Sequence, residues 1–183
     1  MVPTMIPNRF LDPRLLASHF HIDRGSSVVD FGAGVGRFVP VVAEKVGKEG
    51  RVIACECQRP LVETVGNIRK KNQYNQVEVQ WCDIETLGAV RVADGTIDFG
   101  LVINTIYQME SRETALAEIR RTLRSGGIVY VVDWIDSFGG IGPVDDQVVT
   151  REAMIDLFEG AYFIYEREYP AGAYHYGLAF KKI

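Results

Sequence analysis

The segment Val28-Val29-Asp30-Phe31-Gly32-Ala33-Gly34-Val35-Gly36-Arg37-Phe38 decides how the rest of this 183-residue chain is read. A short apolar run rich in β-branched residues ends in an acid. Three glycines follow at alternate positions, and a second, mostly apolar run comes after them. That order reads as strand, tight turn, helix. Glycine is needed where the backbone takes positive φ, or where a ligand lies so close to the main chain that a Cβ would collide with it. The segment is therefore a nucleotide-type binding turn, and the remaining elements are placed relative to it.

Spacing separates two kinds of ligand. The dinucleotide fingerprint carries its third glycine five residues after the first and sets a pyrophosphate on the helix N-terminus. Here that position is Arg37, and the spacing is instead G-x-G-x-G through Gly32, Gly34 and Gly36, with the carboxylate of Asp30 at the mouth of the turn. A carboxylate repels a pyrophosphate but suits a ligand that carries an ammonium and no phosphate. S-adenosylmethionine is such a ligand.

At 183 residues the chain is expected to form one domain, residues 1–24 making an arm and a helix and residues 25–183 the core. Twenty basic residues against 24 acidic ones give a net charge of −4, and no basic run exceeds Arg69-Lys70-Lys71, so nucleic acid is not an expected partner. No apolar stretch reaches the roughly 18 residues of a membrane span, and the start of the chain lacks a signal-peptide pattern; a cytoplasmic location is expected. Three cysteines, Cys55, Cys57 and Cys82, make neither a four-thiolate zinc site nor a Cys-x-x-Cys pair. They are read as reduced, with no metal expected, and Cys57 and Cys82 are expected to approach if the second and third strands pair.

Asp12 is placed to cap a helix running to about Phe20, with Pro13 at its first position and His19 and His21 near its end. After the glycine turn a helix runs to Gly47, with Pro40 in its first turn. Arg51 to Glu56 is a strand apolar on both faces, which leaves Glu56 at the carboxyl edge, where open α/β sheets bind ligands. A carboxylate there can accept both hydroxyls of a ribose; the competing reading is a plain surface acid. Pro60 to Lys71 suits a helix. Val77 to Cys82 alternates apolar and polar, as an edge strand does, and delivers Asp83 to the same edge. Asp83 could accept from an adenine amino group with Ile84 or Trp81 on the ring, or could simply form a turn. A strand over Ile97 to Ile103 ends in Asn104, followed by Thr105, Ile106, Tyr107 and Gln108. A helix from Ser111 to Arg124 stops at Ser125-Gly126-Gly127, and Ile128 to Val132 forms a fifth strand. Asp133-Trp134 opens a glycine-rich loop, Gly139 to Pro143, of the kind that covers a site. A helix capped by Thr150 and an antiparallel pair, Tyr162–Tyr169 and His175–Lys182, complete a seven-stranded, mostly parallel sheet.

Four segments, VVDFGAGVGRF, VIACE, QWCDIE and FGLVINTIYQMESRETALAEIRRTLRSGGIVYVVDW, resemble the class I S-adenosylmethionine-dependent methyltransferases, and most nearly the ubiquinone and menaquinone biosynthesis branch. The resemblance covers Arg9 to Lys182. It implies a Rossmann-like three-layer α/β sandwich with strand order 3-2-1-4-5-7-6 and an antiparallel C-terminal hairpin. It also implies S-adenosylmethionine as methyl donor, S-adenosylhomocysteine as product, and a cofactor set of Asp30, Gly32, Ala33, Gly34, Gly36, Glu56, Cys57, Asp83, Ile84 and Asn104. An N-terminal segment over the site would bring Arg9, Phe10, His19 and His21 toward the substrate. Tyr107-Gln108 stands where many relatives have paired histidines, which separates the acceptor question from the cofactor question. Asn104-Thr105-Ile106-Tyr107 is also similar to the Asn-Pro-Pro-Tyr signature of amino-group methyltransferases, without either proline.

Such an enzyme would transfer a methyl group to a small-molecule acceptor by in-line displacement. The donor is already activated, so the protein chiefly aligns the reactants in a dry cleft. Asn104, Tyr107, Trp134, Asp136, Tyr174 and His175 are placed to meet the acceptor, Tyr107 and Trp134 as its contacts and Tyr107 or His175 as a base or orienting group. Two other readings remain open from sequence: a cofactor-binding, non-catalytic partner of another methyltransferase, and a nicotinamide-dependent oxidoreductase. The acceptor atom and the oligomeric state are not encoded in these motifs.

Overall fold

The computed structural model describes residues 11–183. The elements in chain order are α1 (Pro13–Ala17), β1 (Ser27–Phe31), α2 (Val39–Val46), β2 (Arg51–Glu56), α3 (Arg59–Asn72), β3 (Val77–Trp81), β4 (Ile97–Ile103), α4 (Arg112–Thr122), β5 (Leu123–Trp134), α5 (Arg151–Gly160), β6 (Phe163–Pro170) and β7 (His175–Lys182). The seven strands form one sheet in the order β3-β2-β1-β4-β5-β7-β6. Pairings from β3 through β5 are parallel, and β7 pairs antiparallel with both β5 and β6.

Alternation along the strands divides the core. Val28, Val52, Leu101, Tyr130 and Val132 face α1, α2 and Val65 of α3. Val29, Ile53, Val102, Val129 and Val131 face α4 and α5, through Leu116, Ile119, Met154 and Phe158. Both faces of the central strands are covered, which is why β1 and β4 read as near-continuous apolar runs, whereas β3 at the edge alternates. The layers are helix, sheet, helix, as expected for the Rossmann-like arrangement.

Local stops follow the side chains. Asp12 Oδ1 accepts from the N–H groups of Arg14 and Leu15, and Pro13 fills the first helical position. The helix ends at Ala17 rather than Phe20, because the Ser18 hydroxyl donates to Leu15 O and Phe20 turns inward to stack on Tyr130 at 4.6 Å. The α4 helix ends at Thr122, two residues before the expected Arg124, because Leu123 already pairs with Ile97. Ser125-Gly126-Gly127 is thus an irregularity within β5 rather than a helix stop. A Cβ on Gly127 would lie 2.9 Å from Arg124 O and 3.1 Å from Asp98 O, so glycine is needed where the two strands meet. Ser111 does not cap α4 with its side chain; its backbone N–H donates to the Glu85 carboxylate instead. Thr150 does cap α5, accepting from Ala153 N–H. Among the described residues no helix is long and apolar enough to cross a membrane.

Candidate functional site

The carboxyl ends of β1, β2, β3 and β4 surround a cavity of about 440 Å³, within the range of small-ligand sites. Asp30, Gly32, Ala33, Gly34, Glu56, Cys57, Asp83, Ile84 and Asn104 all line it. Gly36 does not. Its φ of +78° closes the turn, and a Cβ there would meet Val65 and Ile68 at 3.1 Å, so this glycine lets α3 pack against the turn rather than admitting a ligand.

The turn is tied to its neighbours by main-chain bonds. The N–H groups of Gly32 and Ala33 both donate to Cys55 O, at 3.0 and 2.8 Å. Gly32 has φ +91°, and a Cβ on it would lie 2.7 Å from the methyl carbon of Thr105, whose hydroxyl donates to Phe31 O. Gly34 has no atom within 4 Å of where its Cβ would be, and its N–H donates to Glu56 Oε2 at 2.9 Å. Gln58 N–H donates to Glu56 Oε1 at 2.8 Å. An ionised carboxylate has about four acceptor positions. Two backbone donors, one on each oxygen, fix the carboxylate plane and leave acceptor capacity on both oxygens, which suits a vicinal diol. The Cys57 thiol also lies 3.6 Å from Oε1.

Asp30 is almost fully buried, and its carboxyl is raised to about 7, first by burial and second by the neighbouring Glu56. An arriving cation would reverse both effects. Leu11, Val35, Arg37 and Phe38 complete the wall around the turn, and the Arg37 guanidinium donates to Leu11 O, so Leu11 is fastened to the glycine segment. Arg9 and Phe10 lie outside the described residues.

Asp83 Oδ1 accepts from Glu85 N–H at 3.0 Å, which shapes the loop after β3 and turns buried Ile84 into the cavity wall. Trp81 does not line the cavity. It is half-exposed, lies under the Arg59 guanidinium at 3.8 Å and donates its indole N–H to Cys57 O. The cysteine pair is also different from the expected one. Cys55 is the partner of Gln80 in the β2–β3 ladder, so Cys55 and Cys82 share a sheet face and their thiols face each other, while Cys57 points to solvent.

A group that sequence reasoning missed holds this loop from behind. Glu118 of α4 is fully buried, and its two oxygens accept from Gly88 N–H at 2.7 Å and Val90 N–H at 2.8 Å. Arg121 pairs with Glu118 at 2.8 Å and donates to Val90 O and Val92 O. The signal was present: Glu118 is an acid on the apolar stripe of Ala115, Leu116, Ile119 and Thr122.

Of the expected acceptor residues, Asn104 alone lines this cavity. Asn104 takes φ +55°, donates its N–H to Val132 O, and has its Oδ1 buried without a partner. Tyr107 sits half-buried in a short 3-10 turn beside the cavity, and its hydroxyl is pushed up by burial and then by Asp133. Trp134 and His175 do not line the cavity; they are buried against each other beyond it, with ring centroids 4.2 Å apart. His19 stacks on Tyr169, and His21 uses its backbone N–H to reach the Tyr130 hydroxyl, so both pack the C-terminal half rather than the cavity. Asp133, absent from the sequence-derived set, is buried with its carboxyl raised to about 7 by burial. No cluster of three or more metal-ligating side chains occurs among the described residues.

Comparison with known proteins agrees with this geometry. A family model described as a methyltransferase domain matches residues 22–153. An uncharacterized 37.1 kDa protein in transposon TN4556 of Streptomyces fradiae is 34% identical over 112 residues, 60% of this chain and 31% of that protein. The ubiquinone/menaquinone biosynthesis C-methyltransferase UbiE of Hydrogenovibrio crunogenus is 29% identical over 110 residues, covering 60% of this chain and 42% of the enzyme. The chain thus matches less than half the length of these relatives. Among solved structures, a SAM dependent methyltransferase from Aquifex aeolicus superposes with a TM-score of 0.87 at 23% identity over 96% of this chain and 92% of that one. The [4+2]-cyclase SpnF superposes at 0.77 with 15% identity, over 93% of this chain and 80% of that chain, so one fold carries differently named chemistries. The chain belongs to the methyltransferase-domain family and is built on the class I S-adenosylmethionine-dependent methyltransferase fold.

Proposed function

We propose that this protein binds S-adenosylmethionine in the cavity at the ends of β1 to β4 and transfers its methyl group to a small-molecule acceptor by in-line displacement. The observation that carries the reading is the Glu56 carboxylate, fixed by Gly34 and Gln58 N–H groups with acceptor capacity remaining on both oxygens. Ribose hydroxyls would take those positions. Asp83 and Ile84, one strand away, would hold the adenine edge and face. Asp30, at the opposite side of the turn, would receive the amino-acid ammonium, and Asn104 lies at the same end of the cavity wall.

The sulfonium supplies an activated methyl group with a neutral thioether as leaving group. What the chain contributes is alignment and exclusion of water, while the acceptor's proton needs a base only if attack requires its loss. A pyrophosphate-bearing nicotinamide cofactor fits poorly, because Asp30, Glu56 and Asp83 face one cavity and would repel it.

Incubating the purified protein with methyl-labelled S-adenosylmethionine and a metabolite extract tests the reading. Labelled product is expected with the native chain and is expected to fall at subsaturating cofactor with Glu56→Ala. Cofactor binding without any labelled product across extracts would favour the non-catalytic alternative.

A further inference from the structure

Trp134 closes β5 and His175 opens β7, and the antiparallel ladder sets them opposite each other. Both side chains are more than nine-tenths buried, at 8% and 6% exposure. Yet the indole Nε1 and both imidazole nitrogens are buried with no hydrogen-bond partner among the described residues. An indole offers one donor, and a neutral imidazole offers one donor and one acceptor. Buried polar groups are ordinarily paired, so three unmet positions on two touching side chains mark a place built for a partner.

A glycine-rich loop packs over the pair. Gly142, at φ +80°, lies so close over Trp134 that a Cβ would come within 2.6 Å of the ring. Gly139 and Gly140, both at positive φ, have open space where their Cβ atoms would be. Phe138 turns inward onto Tyr174 at 4.6 Å, while Ile141 and Val144 on the same segment point to solvent at 49% and 59% exposure. The loop therefore shields polar atoms that have no partner among the described residues, a costly arrangement that would be relieved if the loop lifted to admit one. The site stands on the same sheet edge as the cofactor cavity: β5 neighbours β4, and Asn104 at the cavity wall donates its N–H to Val132 O, two residues before Trp134.

We propose that Trp134 and His175 form the subsite for the methyl acceptor, under a movable roof of residues 136–143, and that it takes an uncharged group on a flat body, a hydroxyl or an amide that both donates and accepts a hydrogen bond. The inference rests on the methyltransferase reading for the word acceptor. Burial pushes the His175 imidazole down to about 4, so it is neutral at physiological pH and presents one donor and one acceptor rather than a positive charge. Neither ring brings a charge with which to balance an anion or a cation, and the aromatic faces of Trp134, Phe138 and Tyr174 favour a flat body between them.

The chain contains two tryptophans, so Trp81→Phe leaves Trp134 as the sole indole reporter. Phenol, benzamide, benzoate and benzylammonium are titrated into this protein with and without saturating S-adenosylhomocysteine, while Trp134 emission is followed and S-adenosylhomocysteine affinity is measured by calorimetry. Phenol and benzamide are expected to change the emission saturably and to bind about tenfold or more tighter than the charged probes. His175→Phe is expected to remove that preference while leaving S-adenosylhomocysteine affinity within about twofold, because the side chain does not line the cofactor cavity. Gly142→Ala, which pushes the roof off the indole, is expected to tighten phenol binding. No saturable response, equal binding of charged and neutral probes, or an unchanged preference in folded His175→Phe would overturn the subsite. S-adenosylhomocysteine binding without a phenol response overturns this inference alone. A phenol response without S-adenosylhomocysteine binding supports the pocket and counts against the methyltransferase reading.

Discussion

The two halves of the sheet's carboxyl edge treat their polar groups in opposite ways. At the ends of β1 to β3 the acids are open to a cavity and already oriented: Glu56 by Gly34 and Gln58, Asp83 by Glu85, and the loop beyond them by Glu118 and Arg121. At the ends of β4, β5 and β7 one side-chain oxygen each of Asn104 and Asp133 and the ring nitrogens of Trp134 and His175 are buried with no partner among the described residues, and a glycine loop covers the last pair. On the proposed reading, the first half is a preorganised receptor for the cofactor. The second would have its hydrogen-bonding capacity met only when an acceptor arrives. Preorganisation lowers the cost of binding, whereas burying unmet polar groups raises the energy of the closed, empty state. A transferase with one fixed donor and an acceptor that must be sealed from water gains from that division.

The contrast can be broken at four places. The largest effect is expected from Glu56→Ala, which removes charged hydrogen bonds and should weaken S-adenosylhomocysteine binding by about 1 to 3 kcal/mol, roughly 5- to 150-fold, read by calorimetry. Unchanged affinity would remove Glu56 from the ribose position.

Asp30 comes next, through pH. Its carboxyl titrates near 7 in the ligand-free protein, so below that pH it is mostly protonated and must lose its proton to pair with an ammonium. Cofactor affinity should therefore fall by about 8-fold between pH 7.5 and pH 6, with proton release on binding, and Asp30→Asn should flatten the profile. The same raised value means that the native carboxyl keeps its proton where the unfolded one, at about 4, has lost it. Asp30 and Asp133 should accordingly make the ligand-free protein lose stability as pH rises from about 4 to 7. His175, held down to about 4, opposes this trend only below about 6.5, where an unfolded histidine gains its proton. A stability profile that rises from pH 6.5 to 7.5 in the native chain but not in Asp30→Asn would contradict the assignment.

Glu118→Gln should act more mildly on binding. It leaves the cavity lining intact but loosens the Gly88 and Val90 anchors, so the cofactor should bind about 2- to 12-fold more weakly. Turnover at saturating cofactor should be unchanged. A fall in turnover with unaltered affinity would show that Glu118 does not act through the adenine loop. The smallest effect belongs to the roof: Gly142→Ala should shift Trp134 emission to the red and increase its quenching by acrylamide in a Trp81→Phe background, with cofactor affinity unaltered. An unmoved spectrum would mean that the roof accommodates the methyl group by local adjustment.

The same contrast explains what could be read from sequence. The proposed cofactor half is written locally: a glycine turn and three strand ends, each terminating in an acid, are recognisable without knowing how the strands pair, while strand-helix alternation and the terminal hairpin indicate a seven-stranded, mostly parallel sheet and the family resemblance implies its order. Where single residues lie outside the cavity lining, packing overrides pattern. Gly36 obeys the spacing but serves Val65 and Ile68 of α3, and Trp81 sits beside the adenine loop yet is turned outward by Arg59 and Cys57 O. The thiol pair shifted from Cys57 to Cys55 because side chains in a strand alternate faces, so the residue two beyond Gln80 shares the face of Cys55. The proposed acceptor half draws on residues more than 40 positions apart, Trp134 and His175, brought together by an antiparallel ladder. Glu118 was hidden for a related reason: an acid on an apolar helical stripe is anomalous in sequence, but which loop it holds depends on where that helix docks.

The account stands or falls on the ligand of the cavity. Calorimetric titration of the native chain with S-adenosylhomocysteine, alongside NADH, should give saturable binding at one site per chain for the first and none for the second. Saturable NADH binding with no response to S-adenosylhomocysteine would contradict it.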